Sequence, residues 1–164
     1  MKCYGAVFAL VLGSLLASAR AQQSPPGSTI FCTFQDGKEI NVQYQNSESV
    51  KKTNFSSGKL WSPGRKPMFL FTQTNLTVAN AEIPMGAYSL YFIPGNDHWT
   101  LVLNKSVQPG EYNPREDLVR VAMDVGQLSE LQPFSLAFAH TAPKQCNLRL
   151  YEGKIGTWAE FHEK

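Results

Sequence analysis

Apolar and polar residues alternate with a period of two along most of the chain after its N-terminal segment. A strand with one buried face produces this period, whereas an amphipathic helix produces a period near 3.6. Turn residues separate the alternating runs at intervals of roughly 8–12 residues, which is typical of sandwiches and barrels. The pattern predicts one all-β domain over residues 29–164, an antiparallel, jelly-roll-like β-sandwich of about eight or nine short strands.

Two hairpins are the clearest local predictions. Asp36-Gly37 is a tight-turn pair, and it lies between the alternating runs 30–34 and 40–45. Pro94–Asp97 divides the range 87–103 in the same way, because Pro and Gly in this tetrapeptide favour a turn. Each pair of runs is therefore expected to form adjacent antiparallel strands.

The phase of the alternation predicts which side chains face the core. Val119 and Val125 are expected to point inward, and Val102 and Arg120 are expected to point toward solvent. The alternation is interrupted in the range 125–131, where the sequence favours a helical turn. This is the one short helical feature that the pattern predicts.

The N-terminus has the three parts of a secretory signal peptide. Lys2 supplies a positive charge, Tyr4–Ala17 is an almost uninterrupted apolar run, and small residues follow before Gln22. The apolar run is shorter than the ~20 residues that a membrane-spanning helix needs, which disfavours a retained anchor. We expect a signal peptide over 1–21, a linker over 22–28, and export to the periplasm or the extracellular medium.

Removal of the signal peptide changes the charge of the chain. The full sequence has 15 basic and 13 acidic residues, and the segment that would be removed contains Lys2, Arg20 and no acid. The mature chain would therefore have no formal net charge. Because such a chain has no excess of positive charge to attract nucleic acid, a nucleic-acid partner is not expected. No integral membrane segment is expected after cleavage.

Two cysteines would remain in the mature chain. Cys32 and Cys146 both occupy the apolar phase of an alternating run, so both side chains should face the core. An even number of cysteines in an exported protein favours a disulfide between the first strand and a late one. Two buried free thiols are the alternative, because a free cysteine also packs as a small apolar residue.

Several short motifs stand out from the strand pattern: Leu60–Gly64, Ile83–Gly95, Trp99–Lys105, Asp117–Val121, Pro133–Leu136 and Leu148–Glu152. Together they resemble the bacterial family catalogued as domain of unknown function 2911, most specifically in Ile83–Gly95 and the Trp that follows. The resemblance implies an exported bacterial protein and supplies no established activity. Ser62 and Pro63 stand where the family usually has Arg and Thr, so a function of that loop would be altered here.

Motifs of well-known catalytic and metal sites are not evident in the sequence. His98, His140 and His162 have no spacing that suits a metal site, and no nucleophile elbow or phosphate-binding glycine loop occurs. We therefore expect no catalytic residue, no metal and no cofactor. A hydrolase or isomerase that uses carboxylates with His98 or His140 is the alternative hypothesis.

Aromatic and polar side chains on the strands supply the candidate binding positions. Trp and Tyr combine an apolar ring with a polar group, so they can stack on a sugar or a peptide, and Tyr151 and Trp158 belong to this aromatic set. The sequence favours a non-catalytic module that binds a small ligand, a glycan or a partner protein. The candidate binding residues are Trp61, Tyr88, Tyr91, His98, Arg120 and Glu152.

Overall fold

A computed structural model describes residues 27–45, 56–63, 66–108 and 112–164. The predicted signal peptide, residues 1–21, lies outside these ranges, as does most of the predicted linker. No helix among the described residues has both the length and the apolar character needed to cross a membrane.

The described residues form nine β-strands, and a short 3-10 turn at Pro114–Glu116 precedes the eighth. The strands are β1 Gly27–Thr33, β2 Glu39–Gln45, β3 Met68–Thr72, β4 Leu76–Val78, β5 Ala81–Ile83, β6 Gly86–Ile93, β7 Trp99–Asn104, β8 Asp117–Ala142 and β9 Gln145–Glu163. They pair in the order β1-β2-β3-β6-β7-β8-β9-β4-β5, and every pairing is antiparallel. The prediction of an all-β antiparallel fold is confirmed.

The sheet folds back on itself instead of closing into a barrel. Its edge strands, β1 and β5, do not pair with each other. Cys32 on β1 nevertheless forms a disulfide with Cys146 on β9, so the predicted bridge is confirmed. Beyond β1, the Gln35 amide donates a hydrogen bond to the Pro143 carbonyl at 2.9 Å. These contacts place β1 and the β8–β9 hairpin on opposite sides of a shared core.

Alternation explains most of this core. Val42 on β2 pairs with Leu70 on β3, and both side chains are fully buried because they share the inner face. The first predicted hairpin turn also forms, and Gly37 there has a φ of 89°, which a glycine adopts without strain. The other large core residues come from strands throughout the sheet: Ile40, Met68, Leu90, Phe92, Trp99, Leu101, Leu103, Leu148 and Phe161.

Two predictions of side-chain orientation and one prediction of a helical turn were wrong. Val102 was expected to be exposed but is fully buried, because it lies in the ladder between Tyr91 and Arg120, whose long side chains share its face. Val125 was expected in the core but is 37% exposed. The expected helical turn at 125–131 is instead part of β8, which runs through this region as an irregular strand.

Candidate functional site

The outer face of the β8–β9 hairpin contains a cavity of about 380 Å³, which we call the ribbon groove. Ligand pockets in proteins commonly start at about 300 Å³ and combine aromatic walls with a few polar groups. The ribbon groove has this composition. It is lined by Gly126, Gln127, Leu128, Asn147, Arg149, Tyr151, Gly156 and Trp158.

Two glycines make room for the ribbon groove. Gly126 and Gly156 pair across β8 and β9, so neither strand places a side chain at this point of the outer face. A Cβ atom on Gly126 would lie 3.1 Å from the Trp158 ring, and one on Gly156 would lie 3.3 Å from a Leu128 methyl. Both distances are tighter than ordinary contact. The glycines therefore leave the space that the neighbouring side chains border.

Asn147 and Arg149, from one stretch of β9, and Gln127, from β8, supply polar groups to the ribbon groove. Asn147 is 4% exposed, and its Oδ1 accepts a hydrogen bond from Arg149 Nε at 3.3 Å. Arg149 forms no ion pair with any residue in the described ranges. Since a guanidinium has several N–H donors, most of its capacity is not used by the Asn147 contact.

A break in the strand pairing brings these residues together. Gln127 pairs with Ile155 and Gln132 pairs with Gly153, so residues 128–131 of β8 bulge out opposite one residue of β9. Gly153 has a φ of 62°, a left-handed conformation that glycine tolerates well. The break changes the phase of β9 between Tyr151 and Gly156.

The change of phase explains an unusual grouping of side chains. Arg149 is at an odd position and Trp158 at an even one, so strict alternation would place them on opposite faces. They would also be roughly 30 Å apart in a straight strand. Both instead line the ribbon groove, which shows that the hairpin bends sharply at the break.

A family model described as a protein of unknown function, DUF2911, matches residues 25–157. The match spans more than half of the chain. The chain belongs to this family. The DUF2911 match includes all lining residues of the ribbon groove except Trp158, which follows it directly. Neither a curated protein nor a solved structure matches the chain.

Two of the sequence-predicted binding residues, Tyr91 and Arg120, meet in a second polar cluster, whose members lie outside the lining of the ribbon groove. Asp117 Oδ2 accepts hydrogen bonds from the Tyr112 hydroxyl and from Arg120 Nε, each at 2.6 Å. Asp117 Oδ1 accepts a third bond from Asn104 Nδ2 at 2.9 Å. Tyr91 packs edge-on against Tyr112, with ring centroids 5.3 Å apart. We call these residues the Asp117 cluster.

The electrostatics of the Asp117 cluster favour one protonation state. The hydrogen bond to the Asp117 carboxylate raises the pKa of Arg120, which keeps the guanidinium charged. Burial raises the pKa of Tyr91 and of Tyr112, so both phenols remain protonated at neutral pH. The cluster thus ties the segment before β8 to the β6–β7 hairpin.

Two other predicted binding residues, Trp61 and Tyr88, make contacts within the fold. Trp61 bridges to Phe92 and packs against the aromatic end of the core, 5.3 Å from the Phe134 ring centroid. Tyr88 is buried, and its hydroxyl donates to the Pro84 carbonyl at 2.8 Å, which fixes the turn before β6. These two side chains therefore have evident packing roles.

His98 and Glu152 differ in exposure, because His98 is exposed and Glu152 is partly buried. His98 is exposed in the β6–β7 turn, where it borders a shallow depression of about 290 Å³ with Gly58 and Asp97. Glu152 is partly buried on β9 beside Tyr151, next to the ribbon groove but outside its lining. Among the six candidates, Tyr91 and Arg120 meet in the Asp117 cluster.

Sequence reasoning missed Gln127, Asn147 and Arg149 as groove residues. The aromatic set did include Tyr151 and Trp158, but nothing in the alternation linked them to each other. One signal for these residues was present in the sequence. Asn147, Arg149 and Tyr151 alternate with core residues of β9, so three side chains that can form hydrogen bonds lie on the face opposite the core. Locating the groove also requires knowledge of the break in pairing.

Proposed function

We propose that this protein is an exported, non-catalytic binding module whose ribbon groove holds one sugar-sized polar ligand. The observation that carries the proposal is the composition of the groove, in which Tyr151 and Trp158 border the same cavity as Asn147 and Arg149. Aromatic rings pack against the C–H faces of a sugar ring, while amide and guanidinium groups bond its hydroxyls.

The position of the ribbon groove supports specific binding. Its polar residues project from paired β-strands, and Arg149 lies directly opposite Ala137 in the ladder. A rigid strand loses little conformational freedom when a ligand binds, so more of the contact energy appears as affinity. Small residues on the facing strand also leave the guanidinium accessible from above the sheet.

Export fits the remaining observations. The Cys32–Cys146 disulfide would persist in an oxidising compartment and would be reduced in most cytosols. The first 21 residues have the charge and hydropathy pattern of a cleavable signal peptide. A binding module outside the cytoplasm would meet free or polymeric saccharides there.

Hydrolase chemistry has less support than binding. General acid–base catalysis in the ribbon groove would need a carboxylate or an imidazole that reaches the substrate, and the groove lining contains no Asp, Glu or His. In the second cluster, Asp117 already accepts three hydrogen bonds. Its side chain is only 9% exposed, which further limits access. The Asp117 cluster is better explained as an anchor for the segment before β8.

The experiment is a thermal-shift screen of the mature protein against sugars, peptides and metal ions. We expect a saccharide to raise the melting temperature, since a ligand at a hundred times its Kd adds about 2.7 kcal/mol of stability. Trp158→Ala should abolish the shift by removing one wall of the ribbon groove. Phe31→Ala is the matched control, because Phe31 is a 62% exposed aromatic on β1 that does not line the groove.

Two results would count against the proposal. One is a screen in which no sugar stabilises the protein. The other is a ligand whose stabilisation persists in Trp158→Ala but is lost in Phe31→Ala.

A further inference from the structure

Charge in the ribbon groove is unbalanced. Its lining contains one cation, Arg149, and no Asp or Glu. Because the mature chain would have equal numbers of acids and bases, this positive charge is a local property of the groove. A neutral ligand would leave the guanidinium without a charged partner.

The guanidinium is held in position to meet an anion. Asn147 is buried and accepts a bond from Arg149 Nε, which restricts rotation of the planar group. The remaining N–H donors of a guanidinium can form paired, parallel bonds to a carboxylate. An ordinary surface arginine has no such support from a buried amide.

A negative charge near the ribbon groove makes its two ends electrostatically different. Asp124 pairs with Trp158 in the β8–β9 ladder, so a carboxylate lies beside the Trp158 end of the groove. An anionic ligand group is repelled there and attracted by Arg149. The uncharged face of the ligand would therefore lie near Trp158.

We infer that the ligand of the ribbon groove is an acidic saccharide, with its sugar ring against Trp158 and its anionic group on Arg149. This inference rests on the proposed binding function and specifies its ligand. Carboxylate and sulfate groups share the chemistry that Arg149 recognises. An acidic peptide would satisfy Arg149 but would not supply a sugar ring for the aromatic wall.

The test measures Kd by titration calorimetry for three oligosaccharides of equal length: trigalacturonate, its methyl ester and a sulfated neutral trisaccharide. We expect at least one anionic sugar to bind about tenfold or more tightly than the neutral ester, because charged hydrogen bonds are stronger than neutral ones. The comparison of trigalacturonate with the sulfated sugar identifies which anion is preferred.

Variants assign the charge preference to one residue. Arg149→Gln should remove the difference between acidic and neutral sugars, and Arg149→Lys should retain part of it, because lysine keeps the charge but not the paired geometry. Arg115→Gln, at an exposed position outside the ribbon groove, should behave like the wild type. Circular dichroism melting of each variant checks that it is folded.

The outcomes separate this inference from the proposed function. Equal binding of the ester and trigalacturonate would overturn the acidic ligand and leave the binding module standing. Binding of tetraglutamate that requires Arg149, with no binding of any sugar, would also overturn it. If none of the three sugars binds, the acidic-saccharide inference fails, and the broader thermal-shift screen decides the proposed function.

Discussion

At the scale of single residues, the Asp117 carboxylate accepts three hydrogen bonds. Both of its oxygens accept bonds, from Tyr112, Arg120 and Asn104. Each donor comes from a different part of the β7–β8 region, so one side chain holds the connection in place. The sequence predicted correctly that Arg120 points away from the core, but it gave no sign of these partners.

Replacement of this carboxylate should destabilise the protein. In Asp117→Asn, an amide NH₂ must face one of the existing donors, and Arg120 loses its counter-charge. We expect a decrease of about 2 kcal/mol in the free energy of unfolding, since bonds to charged groups are worth about 1.5–3 kcal/mol. Urea denaturation measures the change.

Asp97→Asn is the matched control for this prediction. Asp97 is exposed in the β6–β7 turn, and asparagine is equally suited to turns, so its stability should match that of the wild type. Equal stability of Asp117→Asn and Asp97→Asn would show that the Asp117 cluster does not stabilise the fold.

At the scale of secondary structure elements, the irregular part of β8 decides the shape of the β8–β9 hairpin. Residues 128–131 have no register partner on β9, although the strand continues on both sides of them. The alternation of apolar and polar residues stops in this part of the sequence, and we interpreted the interruption as a helical turn. A bulge and a helical turn both interrupt a period of two, so the pattern alone could not separate them.

Hydrogen exchange can separate the bulge from a helical turn. We expect the amides of Leu128–Leu131 to exchange much faster than those of Val119–Gly126, because they lack the cross-strand ladder. Mass spectrometry of native-state exchange, with peptides that divide these two ranges, gives the comparison. Ala137–Ala139, which pair regularly with β9, provide a protected reference on the distal side. Slow exchange throughout 128–131 would contradict the bulge.

At the scale of the whole molecule, the disulfide links residues that are 114 positions apart. It joins the first strand of the sheet to the β8–β9 hairpin, and so it connects the two sides of the core. In the chain-entropy model, a crosslink over a loop of this length reduces the freedom of the unfolded chain by about 4–5 kcal/mol. The disulfide is therefore expected to be a major contribution to stability.

Removal of the disulfide tests that expectation. The double variant Cys32→Ala/Cys146→Ala should lose about 4 kcal/mol of unfolding free energy, measured by urea denaturation of the mature protein. Wild-type protein measured under reducing conditions should show a similar loss. An unchanged midpoint, or two alkylatable thiols in the unreduced mature protein, would contradict this account.

The sequence by itself determined the all-β class, the two hairpins, the family resemblance and the buried phase that contains Cys32 and Cys146. These features follow from local physics, because a strand that buries one face must alternate and a tight turn needs particular residues. Only the tertiary structure decided that Arg149 and Trp158 border one cavity. Their meeting depends on a break in the pairing of two strands and on the bend that it produces, and neither is a property of the residues themselves.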